Sequence, residues 1–322
     1  MLKGNKIITE KQVESVEHFG CKEDIFKDLK NNFKTKIIKK NGNRHFLVTG
    51  NALEILKFVP SNFIDLIISD PPYNIRLDYG ICKDKMKKEE YLDWCKNHLT
   101  ECARILKPTG SIYLISYPET NAYLLPFLET NLKLKIRRWL TWHYPTNIGH
   151  SYKNFTRSQR SILFCTKSNK YIFNKKHIIQ HYKNPKVSKI KERLKKGFKG
   201  RGSYDLIRFA DLIELNKKIY FEDVIKFLDL IEKNEGLIDV LDFNLVKNVS
   251  KQRVEEHPCQ LPFGLLRILI KVSSDKNMWV LDPFAGTFTV SAVAAELNRN
   301  SVGIELNPDY LKLGLKRLKN GK

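Results

Sequence analysis

The chain has 322 residues, 42% hydrophobic and 29% charged, a composition that excludes wholesale disorder and allows one large domain or a core with a smaller module. Lysine and arginine number 57 against 35 aspartate and glutamate, and the resulting formal charge of +22 points to a polyanionic partner, nucleic acid first, with a solvated basic surface as the alternative. No uncharged stretch reaches the ~18 residues that span a bilayer, and the residues after Met1 lead into no apolar segment, so neither a membrane protein nor a secretory leader is expected.

Residues 1–44 are polar and lysine-rich, with one weak helical pattern around 11–19, and are expected to form an N-terminal arm. From residue 45 the texture changes. Residues 45–49 and 63–69 are short apolar runs of the kind that form strands buried on both faces. A helix is predicted over 89–106, where Tyr91, Leu92, Trp94, Cys95, Leu99, Ala103 and Leu106 recur near period 3.6. Lys107-Pro108-Thr109-Gly110 then reads as its stop. Further strands are predicted at 111–116, 279–282 and 301–304, with a helix over 289–297 between the last two. Alternating strands and helices predict an α/β fold with a doubly wound, mostly parallel sheet. The middle differs: residues 182–202 hold nine Lys/Arg and one acid, and 204–245 are mixed and weakly helical, so this part is read as an insertion. The expected divisions are an arm at 1–44, one half of the core at 45–175, the basic region at 176–250 and the other half at 251–322.

The sharpest signal is Ser69-Asp70-Pro71-Pro72-Tyr73-Asn74, which follows a predicted strand at the edge where α/β enzymes place ligands. Two prolines fix φ and remove two backbone donors, so the carbonyls are held in place to accept hydrogen bonds. Asp70 adds a carboxylate and Tyr73 a flat face. An exocyclic amino group on a base needs two acceptors and a stacking partner, and this loop supplies both. The second signal, Asp282-Pro283-Phe284-Ala285-Gly286-Thr287, is a strand, a tight turn and a helix start, where Gly286 permits close backbone approach. Twenty-three residues after Asp282 a strand ends in Glu305, where nucleotide-binding α/β folds hold ribose hydroxyls.

On these residues the sequence resembles the amino-group DNA methyltransferases that use S-adenosyl-L-methionine, over residues 45–173 and 257–318. The resemblance implies a Rossmann-like methyltransferase fold with an inserted target-recognition region. It implies catalysis by Asp70, Pro71, Pro72 and Tyr73, and cofactor binding by Asp282, Pro283, Phe284, Gly286, Thr287 and Glu305. His257-Pro258-Cys259-Gln260 resembles the family's His-Pro-x-Gln segment, which implies a cofactor role for His257 and Gln260, and Asn51 stands where the family contacts the cofactor adenine. The catalytic motif precedes the cofactor motif, as in the permuted β group. Three positions depart from the family pattern: Phe288 replaces a frequent glycine and could stack on the cofactor or narrow its site, Leu261 replaces a lysine, and Asn51 replaces an aspartate.

The resemblance implies double-stranded DNA as substrate, with a cognate restriction endonuclease and a homodimer as partners; no metal is expected, because no histidine or acid cluster has metal-ligand spacing. The phosphate-contacting residues are expected among Lys186, Lys189, Arg193, Lys195, Lys196, Lys199 and Arg201 of the basic stretch. Lys153, Arg157 and Arg160 are expected at the pocket mouth or along the backbone track. The six cysteines, at 21, 82, 95, 102, 165 and 259, form no CxxC pair and suit a reducing cytoplasm. Cys259 is read as an ordinary buried thiol, and His257 as a packing residue ahead of a general base. Asp70 at the head of the proline motif favours adenine N6. Cytosine N4 stays open, as does a non-enzymatic DNA-binding relative, for which Phe288 and Asn51 are the support. Methylation of RNA or of a protein glutamine fits the motif order and Asp70 less well.

Overall fold

The computed structural model describes residues 26–76, 85–143, 153–155, 157–180, 186, 188–197, 201–202, 241–242 and 260–320. In chain order the first elements are helix α1 (Lys27–Asn32), strands β1 (Lys34–Lys40) and β2 (Asn43–Thr49), α2 (Ala52–Leu56) and β3 (Ile64–Ser69). There follow α3 (Lys88–Ile105), β4 (Leu106–Ser116), α4 (Pro118–Thr130), β5 (Lys135–His143) and β6 (Gln159–Thr166). A single 3-10 turn (Lys175–Ile178) leads to β7 (Ile179–Gln180), α5 (Ser188–Lys195), β8 (Arg201–Gly202) and β9 (Leu241–Asp242). The last part is α6 (Phe263–Ser273), β10 (Trp279–Asp282), α7 (Thr289–Glu296), β11 (Asn300–Glu305) and α8 (Pro308–Asn320).

Nine strands form one sheet in the order β1-β2-β11-β10-β3-β4-β6-β5-β9. Its centre, β2 through β4 in that order, is parallel. β1, β6 and β5 run antiparallel to their neighbours β2, β4 and β6. The two strands closest to the C-terminus therefore enter the middle of the sheet, between β2 and β3. This places the segments after β3, β10 and β11 side by side at one edge.

The strands are continuous apolar runs because both faces are covered. Along β4, Ile112 and Leu114 pack into the core beneath α3 and α4, while Tyr113 and Ile115 pack into the one beneath α6 and α7. Trp279 and Leu281 of β10 face the first core and Val280 the second. A third, smaller cluster joins Leu47 of β2 to Phe288 and to Leu311 and Leu318 of α8.

One expectation is corrected. Residues 26–44 are not an arm: Phe26 and Leu29 are buried in the first core, and β1 pairs with β2 along its whole length. The short exposed-looking alternation Lys34–Lys40 hides an edge strand, which is half-buried at intervals of two or three residues. The helix stop expected at Lys107-Pro108-Thr109-Gly110 is found there. The helix stops at Ile105 and β4 begins at once, with 107–110 taken up by an irregularity between the pairs Ile64↔Leu106 and Leu66↔Ser111. Pro108 lacks an N–H and is tolerated in such a bulge. A Cβ on Gly110 would lie 2.7 Å from the Leu106 side chain and 3.0 Å from the Asp65 carbonyl, so the chain needs glycine there.

Candidate active site

Three neighbouring parallel strands end in acids or lead directly into them: β3 into Asp70, β10 in Asp282 and β11 in Glu305. Ligands of open α/β sheets bind at such carboxyl ends. Here they open into a cavity of ≈ 320 Å³ reached by both predicted loops, with Asn51, Gln260, Tyr91 and Trp94 among its further walls.

The catalytic-loop side is held by side chains on every flank. The hydroxyl of Tyr73 donates to Asp70 Oδ1. The Tyr91 hydroxyl, from α3, donates to the Pro72 carbonyl at 2.7 Å. Asn74, in the left-handed region at φ 57°, exchanges two hydrogen bonds of 2.9 and 2.7 Å with the Met86 backbone. Burial raises the Asp70 carboxyl from 3.8 to about 6, against the lowering pull of the Tyr73 hydrogen bond and the Arg160 charge.

On the other side, Glu305 ties the turn together. Its Oε2 accepts from the Gly286 N–H at 2.7 Å, its Oε1 from Asn307 N–H at 2.8 Å, and its backbone carbonyl from Gly50 N–H at 2.9 Å. Burial raises its carboxyl from 4.5 to about 7, opposed by the backbone donors. Asp282 is raised as well, first by burial and also by the Asp70 and Glu305 charges, while the Phe284 N–H holds its Oδ1 at 3.0 Å. Gly286 adopts φ 50°, which a side chain would strain. Asn51 caps α2, its Oδ1 accepting from Leu53 N–H at 2.9 Å, and still lines the cavity. Between the two halves stand Trp94 of α3 and Phe284, their ring centres 5.3 Å apart.

The structure brings together Asp70, Pro71, Pro72, Tyr73, Asp282, Pro283, Phe284, Gly286, Thr287, Glu305, Gln260 and Asn51. His257 lies outside the described residues, as does Lys199. Arg201 falls in β8. Phe288 is corrected: it neither stacks in the cavity nor narrows it. It turns away at φ 59°, is fully buried, and its ring wedges into a niche formed by Gly303 and Gly314. Leu261 does line the cavity, and packs with the second core.

Arg160 is buried beside the catalytic loop: its guanidinium lies 4.7 Å from the Tyr73 ring centre and 4.5 Å from that of Tyr117. Arg157 is exposed, but is engaged with Glu119 at 2.8 and 2.9 Å and lies 4.0 Å over Tyr117. Lys153, Lys186, Lys189, Arg193, Lys195 and Lys196 are exposed.

Sequence reasoning took Tyr91 and Trp94 only as core positions of a helix, and passed over Tyr117 and Arg317. Arg317 carried a signal. The buried side of α8 runs Tyr310, Leu311, Gly314, Arg317, Leu318, and an arginine on such a stripe is out of place unless something holds it.

Fold and site together define a Rossmann-like α/β protein whose glycine turn and Asp-Pro-Pro-Tyr loop share one pocket. A family model described as DNA methylase, of the N6/N4 type, matches residues 64–316. The chain is 31% identical over 275 residues to the DNA adenine methyltransferase YhdJ of Escherichia coli, covering 84% of this chain and 82% of that one. It is 30% identical over 272 residues to the type II methyltransferase M.HpaI of Haemophilus parainfluenzae, covering 84% and 73%. The fold is shared with the solved PvuII DNA methyltransferase (cytosine-N4-specific), at TM-score 0.58 and 16% identity over 90% of this chain and 98% of that one. The chain belongs to the DNA methylase family of amino-group (N6/N4) enzymes.

Proposed function

We propose that this protein transfers a methyl group from S-adenosyl-L-methionine to the N6 amino group of adenine in double-stranded DNA. It would act at one recognition sequence, as the modification partner of a restriction endonuclease. The observation that carries the reading is the shared cavity, into which the Asp-Pro-Pro-Tyr loop and the Asp-Pro-Phe-Ala-Gly turn both open. The residues fit a nucleoside cofactor: Glu305 is an acid at a strand end beside a glycine turn, and Trp94 and Phe284 offer flat apolar faces. Asp282, Pro283, Phe284, Gly286, Thr287, Glu305, Gln260 and Asn51 would hold it. When bound, it supplies an electrophilic methyl group on a sulfonium.

The rest is done by the chain's own residues. A stacked base is out of reach, and flipping it out costs roughly a few kcal/mol. The Tyr73 face offers stacking worth roughly 1–3 kcal/mol in return. The Asp70 carboxylate and the Pro71 carbonyl accept the two amino hydrogens, which localises the nitrogen lone pair. Since Tyr73 already donates to Asp70 Oδ1, the amino hydrogen goes to the other oxygen. The Tyr91 bond to Pro72 keeps the loop from relaxing when the base arrives.

Adenine is favoured by Asp70 at the head of the motif and by the E. coli relative, itself a DNA adenine methyltransferase. We place the chain in the permuted β group, because the catalytic loop precedes the cofactor turn. Residues 176–250 then stand as the target-recognition region, with α5 and its neighbours against phosphates, and a homodimer as the working form. The test is to incubate the protein and S-adenosyl-L-methionine with methylation-free genomic DNA, digest it and identify the product by mass spectrometry. N6-methyladenine is expected. N4-methylcytosine would move the substrate to the other base, and no methylated nucleoside with cofactor bound would overturn the DNA reading.

A further inference from the structure

Arg317 of α8 is 4% exposed, yet among the described residues it meets no carboxylate. Its Nη1 donates to the Thr287 carbonyl at 3.1 Å and to Oγ1 of Thr287 and of Thr289, both at 2.6 Å. Its Nη2 donates to Gln260 Oε1 at 2.9 Å. Every partner is neutral. Burial lowers the guanidinium to about 10. A buried charge without a counter-ion is costly, and one end of a helix-packed arginine could as well have been a leucine.

All three partners, Gln260, Thr287 and Thr289, also line the cavity. The guanidinium therefore sits directly behind one part of the cavity wall and polarises the groups that form it. The three acids of the site, Asp70, Asp282 and Glu305, are held by other partners: Tyr73, the Phe284 N–H, and the Gly286 and Asn307 N–H groups. The pocket is thus positively biased at the Thr287–Gln260 wall and negatively biased elsewhere.

Resting on the cofactor reading above, we infer that Arg317 is the counter-charge for the cofactor's carboxylate, a positioning residue that acts through Thr287, Thr289 and Gln260 and makes the pocket select ligands with an anionic amino-acid end. The missing anion is the ligand itself. The same fork joins the Gln260 segment to the glycine turn, so the charge and the wall it polarises are set by one side chain.

The test compares two nucleosides by calorimetry on the full-length protein: S-adenosylhomocysteine, which carries the amino-acid end, and 5′-methylthioadenosine, which lacks it. In Arg317→Met the affinity for the first should fall by ~10-fold or more, about 1.4 kcal/mol per tenfold, while that for the second stays within ~3-fold. Arg317→Lys should retain part of the preference. An equal loss for both nucleosides, or no loss for either, would make Arg317 structural and overturn the inference. Should the variant not fold, the wild-type protein decides. Decarboxylated S-adenosylmethionine should bind ~10-fold or more weaker than S-adenosylmethionine, and equal affinities would overturn the inference. If the wild type binds none of these nucleosides, it is the cofactor reading that fails. If it binds them without regard to the carboxylate, that reading stands and only the role of Arg317 falls.

Discussion

The guanidinium of Arg160 lies 4.7 Å from the centre of the Tyr73 ring, on the loop that carries Asp70. The contact is cation–π, and the same charge lowers the Asp70 carboxyl against its burial. Arg160 thus keeps the acceptor ionised and the stacking face in place. Arg160→Met should raise the Asp70 carboxyl further above about 6, so the acid limb of the pH–rate profile moves to higher pH. Methyl transfer at neutral pH should drop by roughly 10–100-fold, with cofactor affinity little changed. An unmoved acid limb would mean that Arg160 only packs.

Asp70 makes ligand-free stability depend on pH in an uncommon direction. Its folded value is raised from 3.8 to about 6, so the folded protein holds the proton more tightly than the unfolded chain. Stability from this group is present below the unfolded value and is lost as pH rises from about 4 to about 6. Asp70→Asn keeps an acceptor for Tyr73 and removes the buried charge. It should stabilise the protein at pH ~8 by roughly 1–3 kcal/mol, with no gain below pH ~4, and should cut activity by at least ~10²-fold. Thermal melts across pH check the first and methyl-transfer assays the second.

Glu305 is both ligand group and fastener. Glu305→Ala leaves the Gly286 and Asn307 N–H groups without their acceptor. We expect a stability loss of roughly 1–3 kcal/mol and a cofactor affinity weaker by ~10-fold or more. Calorimetry showing unchanged affinity would place the ribose elsewhere.

Phe288 belongs to the core. Its ring contacts the faces of Gly303 and Gly314 so closely that a Cβ on either glycine would collide with it. Phe288→Leu and Gly314→Ala should each destabilise by roughly 1–4 kcal/mol while leaving cofactor affinity within ~3-fold. A selective loss of affinity in a stable Phe288→Leu protein would return that ring to the cofactor site.

Lys189, Arg193, Lys195 and Lys196 are exposed on and just after α5. If they neutralise phosphates, replacing all four with glutamine should reduce the slope of log affinity against log salt by up to about 0.9 per contact. An unchanged slope, measured by fluorescence anisotropy from low to physiological salt, would leave α5 as a solvated surface.

The local chemistry was written in the sequence. Asp70-Pro71-Pro72-Tyr73, the Gly286 turn and Glu305 are short-range patterns, and each follows a strand whose apolar run is continuous because the sheet is covered on both faces. The parallel centre followed from alternating elements for the same reason. What the sequence did not determine depends on pairing between distant segments. β1 reads as polar because one face of an edge strand meets solvent, and only its pairing with β2 shows it to be a strand. Phe288 looked like a site residue by position, but a side chain's direction is set by register and backbone φ, which put its ring into the niche of Gly303 and Gly314, while strand register set Arg160 against Tyr73. Arg317 stood out on the apolar stripe of α8, but its partners were set only when α8 packed over the Thr287 turn, because the meaning of a buried charge lies in the groups that surround it.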